Sequence, residues 1–155
     1  MAQPIVLPFG KGLFFLGNGD AEDELFNKIC GFNSMGLQIQ KDTNDVTIPD
    51  CDDPDAPAWK ATDVLNLSWG MNFEGVMAKE AEPLLWAATN RGISTNIRQR
   101  LLGFGTGVGT PDLQFAGKGH VSHEITGQRG NKWEVKVTVV GDGALARASV
   151  AALVP

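Results

Sequence analysis

The chain is 155 residues long, with 18 acidic and 13 basic side chains and a formal net charge of −5. That length suits one domain burying roughly 68–70% of its unfolded surface without disulfide or metal staples. The acidic balance weighs against a protein that grips nucleic acid by neutralising phosphates.

Glycine, at 19 residues or ~12% against a usual ~7%, argues for many turns and hence a β-rich domain. No run of 18 apolar residues occurs, and Leu13-Phe14-Phe15-Leu16 is too short for a signal-peptide core, so a soluble chain made in the cytoplasm, with no membrane insertion, is expected. Cys30 and Cys51 fit neither a disulfide framework nor a zinc site and read as small buried hydrophobes.

Residues 1–12 contain two prolines and little pattern and read as an N-terminal arm, which leaves 13–155 as a single β domain. Glu24 to Phe32 fits either a helix (Leu25, Ile29, Phe32) or a buried strand (Phe26, Ile29, Cys30). Met35, Leu37 and Ile39 alternate with Gly36, Gln38 and Gln40, which is strand periodicity. Residues 42–62 hold three prolines and six aspartates and form a long acidic loop, of the kind that is usually functional or disordered. Leu65, Leu67, Trp69, Met71 and Phe73 then alternate with polar residues as one amphipathic strand.

The spacing of Met77, Ala81, Leu84, Leu85 and Ala88 predicts one helix over about 77–91, with Pro83 in its first turn and Gly92 as its stop. Ile93 to Leu101 alternate again and set Arg98 and Arg100 on the face opposite Ile97. The glycine-rich stretch 103–109 is a flexible connection. Leu113, Phe115, Val121 and Ile125 share one parity, and Gln128-Arg129-Gly130-Asn131 is a turn. Trp133 to Val139 alternate, and Gly141-Asp142-Gly143 is expected to turn into a short last strand. The fold class is therefore all-β, an antiparallel sandwich or barrel with one flanking α-helix and a long acidic loop.

Motifs for catalysis are missing. His120 and His123 lie three apart on a strand, so their imidazoles point to opposite faces and cannot share one ion. Asp50 to Asp55 lacks the glycine and glutamate of a calcium-binding EF-hand loop. Gly103 to Gly109 precedes a strand and has no Lys-Ser or Lys-Thr, unlike a phosphate-binding loop. No enzyme and no cofactor are expected. The exposed strand faces instead carry Gln38, Gln40, Asn66, Ser68, Asn72, Ser94, Asn96, Ser122 and Thr138 with few aromatics. Their Arg98, Arg100, Lys132 and Lys136 are shared with Glu74, Glu124 and Glu134, which suggests a smooth polar surface that something slides across.

Charge is unevenly divided. Asp20 to Asp63 holds eleven acids against three bases, a net −8, which leaves seven acids against ten bases, +3, elsewhere. Such a split suggests complementary faces that meet between copies.

The order of these elements resembles the tail tube proteins (major tail proteins) of long non-contractile-tailed phages and gene transfer agents. The resemblance rests on the early strands through Ile29 to Phe32 and Met35 to Gln40, the long loop with Trp59 near its end, and the strand Leu65 to Glu74. The single helix after Gly75 and the closing strand Trp133 to Val140 complete it. It implies a β-sandwich whose six copies form a ring, and rings that stack into a virion tail tube, assembled in the host cytoplasm. Double-stranded DNA would pass through without sequence-specific binding. A tape-measure protein and tail-tip or terminator proteins would be the other partners. The family's long loop reaches an adjacent ring, which here makes Asp50, Asp52, Asp53, Asp55 and Trp59 the interface residues. Their candidate basic partners are Arg91, Arg98, Arg100 and Arg129. Two other readings stay open: a tail-completion or head–tail joining protein, and a small β-barrel binding module.

Overall fold

The computed structural model describes residues 3, 4, 6, 8, 12–19, 25–105 and 111–151. Apolar alternation becomes seven strands among these residues: β1 (Gly12–Gly17), β2 (Phe26–Ile29), β3 (Phe32–Asp45), β4 (Thr62–Val76), β5 (Thr95–Leu101), β6 (Asp112–Thr126) and β7 (Glu134–Val150). One helix, α1 (Ala81–Thr89), sits between β4 and β5. All strand pairs are antiparallel, in the single order β2-β1-β5-β6-β7-β4-β3.

This one sheet makes both layers of the domain. In a flat sheet β1 and β4 would lie four steps, about 19 Å, apart. Instead the Phe14 ring of β1 stacks on the Phe73 ring of β4 with centroids 4.0 Å apart, and Phe32 of β3 lies 5.9 and 5.4 Å from the two. The sheet has therefore rolled over its own apolar face. Phe14, Leu16, Ile97, Met71, Phe73, Val137 and Val139 fill the space enclosed.

The roll is made by bending β6 and β7. Residues 134–140 of β7 pair with β4, residues 113–119 of β6 pair with β5, and β6 and β7 pair with each other throughout. At the crossover the register slips between Ala116 and Lys118, opposite Ala146 and Asp142. Gly117, Gly119, Gly141 and Gly143 cluster there, as expected where strands turn a corner. The Trp69 indole lies on this corner: a Cβ at Gly141 would come within 2.5 Å of it, and one at Gly117 within 2.7 Å. Its Nε1–H donates to the Gly143 carbonyl at 3.0 Å. The first layer is thus β3, β4 and the adjoining halves of β7 and β6; the second is β2, β1, β5 and the other halves.

Several expectations change. Gly141 to Gly143 is no turn between strands, because the bulge absorbs it within one continuous β7. The ambiguous stretch after Glu24 is strand β2, followed by a turn at Gly31 with φ +101°. The helix is shorter than 77–91. The Met77 N–H donates to the Trp133 carbonyl at 2.9 Å, so the β ladder keeps this residue extended. The stop comes at Asn90, whose side-chain amide caps the Trp86 carbonyl at 2.9 Å, rather than at Gly92. Ala81, Leu85 and Ala88 are buried against the core, and Thr89 meets His123 Nδ1 at 2.6 Å. Cys30 and Cys51 are both exposed, since one sits in the tight β2–β3 connection and the other in the long loop. Most of the arm 1–12 and the stretch 106–110 lie outside the described residues, and Gly12 already belongs to β1.

Gly141→Ala should lower subunit stability by about 1–3 kcal/mol through overpacking against Trp69. Gly92→Ala, with open space around the added carbon, should be nearly neutral. Thermal melts of the two variants check this.

Candidate assembly surfaces

Beyond Trp69 the β3–β4 hairpin leaves the body. β4 pairs with β7 only from Gly70 to Val76, and β3 is the sheet edge, so residues 39–45 and 62–68 form a ribbon of two strands. Seven residues extend it by about 23 Å. The register Ile39–Trp69 and Lys41–Leu67 places the ribbon's apolar side chains on the face that is core further in. Here nothing covers them: Ile39 is 61% exposed, Val64 55%, Leu65 62% and Leu67 68%. The strand predicted from Leu65 to Phe73 has the right parity, but only its second half is core.

The loop at the ribbon's tip spans 46–61, because the ladder runs on to Asp45–Thr62 and shortens the predicted 42–62. Val46 N–H donates to the Ala61 carbonyl at 2.9 Å, and Ala61 N–H donates to Thr47 Oγ1 at 2.9 Å. Thr47 in turn donates from its hydroxyl (2.6 Å) and its N–H (2.9 Å) to Asp45 Oδ1. Those two bonds, the hydroxyl's first, hold the Asp45 carboxyl below its usual value of 3.8. Their support is present at neutral pH and is lost as pH falls below that value. Asp52 N–H donates to Asp50 Oδ1 at 2.9 Å, and Ala56 N–H to the Asp53 carbonyl at 3.1 Å. Asp50, Asp52, Asp53 and Asp55 are all exposed, and Trp59 is 97% exposed.

The four arginines chosen from the sequence do not form one patch. Arg91 donates to the carbonyls of Gly17 (3.2 Å) and Asn18 (2.8 Å) and to Thr95 Oγ1 (3.3 Å), so it ties the end of β1 to the segment after α1. Arg129 lies in the exposed β6–β7 turn beside Lys132, apart from the other three arginines. Arg98 and Arg100 share the outer face of β5: Arg98 stacks on Phe26 at 3.7 Å, and Arg100 donates to Gln114 Oε1 at 3.1 Å. The outer face of the first layer carries Gln38, Gln40, Ser68, Asn72, Ser122 and Thr138. Lys136–Glu74, at 3.3 Å on that face, is the one ion pair among the described residues.

The family model for phage tail tube proteins matches residues 10–147. The chain belongs to that family. It is a structural protein of the virion tail. Solved structures show the same fold. The virion of a native gene transfer agent particle has a chain 16% identical, with TM-score 0.66, covering 94% of this chain and 100% of its own. The SPP1 tail tube is 9% identical, with TM-score 0.66, and covers 96% of this chain and 81% of its own. The tail of an empty gene transfer agent particle, which has C6 symmetry, is 15% identical with TM-score 0.63, covering 91% and 98%. No curated protein matches the sequence significantly.

In this tail tube subunit the sequence located the acidic loop but not the ribbon's exposed apolar face, since exposure depends on where β7 ends its pairing with β4. It also missed Lys28 and Lys118 as companions of Arg98, for strand order alone brings them together. Arg91→Met should cost the isolated subunit about 2 kcal/mol through its lost charged hydrogen bonds. Arg129→Ala should stay within about 0.5 kcal/mol of the parent. Urea denaturation separates the two.

Proposed function

We propose that this subunit forms six-membered rings that stack into a tube through which double-stranded DNA is delivered. The observation that carries the reading is the two-stranded ribbon with its uncovered apolar face. A lone two-stranded hairpin is marginal in water, and a contiguous exposed apolar strip on a soluble subunit marks an interface. A neighbouring copy supplies both the missing packing and, at the free edge of β3, strand partners. The six-fold symmetry of the gene transfer agent tail supports the ring size.

The first layer has four strands. Six copies lend 24 strands at ~4.8 Å each, a circumference near 115 Å and a backbone diameter of about 37 Å before tilt. Three copies would give half that, which side chains would nearly fill. The polar outer face of this layer is the one suited to the lumen. Gln38, Gln40, Ser68, Asn72, Ser122 and Thr138 offer neither cations to hold phosphates nor aromatics to stack bases, so DNA slides past without a grip. The loop at the ribbon's tip, with Asp50, Asp52, Asp53, Asp55 and Trp59, reaches the next ring. A tape-measure protein would fill the channel during assembly, and tip and terminator proteins would close the ends.

Electron microscopy of the purified protein should show rings and tubes. Single rings without filaments would point to a joining protein, and a uniform monomer across salt and concentration would sink the reading. Leu67→Asp should leave a folded subunit by circular dichroism and abolish rings. Deleting residues 50–55 should leave rings that do not stack, whereas normal tubes from that variant would remove the loop from the mechanism.

A further inference from the structure

The second layer gathers positive charge from separate parts of the chain. Phe15 of β1 pairs with Lys28 of β2 on one side and Arg98 of β5 on the other, and Arg98 pairs with Ala116 of β6. Arg100 and Lys118 lie two residues along on the same face, and Lys118 pairs with Asp142 of β7. Four cations therefore share this face with two acids among the described residues, Asp142 and, at the far end of β6, the buried Asp112. At its centre lies a cavity of about 450 Å³, lined by Phe26, Arg98, Ala116, Lys118 and Ala144 together with the acid Asp142. The small residues at the bend make the depression, and Phe26 and Ala144 give it apolar walls.

We infer that this groove is the socket for the acidic loop of a second copy in the adjacent ring, an inference that rests on the stacked-ring reading above. Charge selects that occupant. Residues 50–55 carry four aspartates and no base, and the hydrogen bonds of the loop among the described residues all run between positions 45 and 61. The loop is presented outward with nothing of its own body beneath it. Arg98 is already oriented to receive a carboxylate. Its guanidinium carbon sits 3.7 Å over the centre of the Phe26 ring, a contact that holds the side chain at the groove while its planar fork of N–H groups suits a bidentate acceptor. Lys118, exposed and lining the same groove, serves as the second cation. Trp59 supplies the apolar half of the contact: an indole seats on the small-residue floor with a cation against its face.

The test is charge reversal with rescue, read by electron microscopy and sedimentation. Arg98→Glu combined with Lys118→Glu should form normal rings but stack into tubes at least about tenfold less efficiently, since like charges now face each other. Lys118→Glu alone, at an exposed position, should show the same direction if the double variant folds poorly. Asp52→Lys with Asp53→Lys should also fail to stack, and uniting all four substitutions in one chain should restore tubes. Tubes of normal yield from the groove variants, or no recovery in the combined variant, overturn the inference. A parent protein that forms no rings would overturn the stacked-ring reading itself.

Discussion

The bend of β6 and β7 at Gly117, Gly119, Gly141 and Gly143, pinned by Trp69, is the constraint on which the rest of the subunit depends. One sheet supplies both layers only because two long strands pass from one to the other. Any side chain at Gly117 or Gly141 would occupy the space of the indole. The same bend has a second consequence. The last pair between β4 and β7 is Gly70–Val140, immediately before β7 turns away. From Trp69 outward β4 has lost its neighbour, and the hairpin leaves the body with its apolar face open. The device that closes the core also creates the surface that needs a partner.

The outer surface divides by chemistry along the same boundary. Outside the first layer lie mainly amides and hydroxyls, with His120 and Val140 among them and Glu124 and the Glu74–Lys136 pair toward one end. Outside the second lie Lys28, Arg98, Arg100 and Lys118. On the stacked-ring proposal, neutral polar groups suit a face past which a polyanion moves, and cations suit a face that meets an acidic partner. The net charge of −5 therefore conceals two regions of opposite sign, the acidic loop and the outer face of the second layer.

How much of this is legible in the sequence differs element by element. Trp133, Val135, Val137 and Val139 alternate so regularly that β7 needs no tertiary information, yet Trp133 proves largely exposed. The helix was visible from Leu85 and Ala88 but overextended at its start, because a single ladder bond from Met77 to Trp133 outweighs local helical spacing. Arg91 looked like any other surface cation. Two of its three bonds reach back more than seventy residues to the carbonyls at the end of β1, and no local pattern announces such a contact.

By itself the sequence determined the class of the fold, the single helix, the position of the acidic loop and the split of charge along the chain. These follow from period-two alternation, composition and turn residues, all of which act over a few neighbouring positions. Tertiary structure alone decided which half of an amphipathic strand is core, which cations share a face, and which polar residues of four strands come to lie on one side. Those properties depend on strand order and on where one ladder ends, and both are set by contacts between residues far apart in the chain.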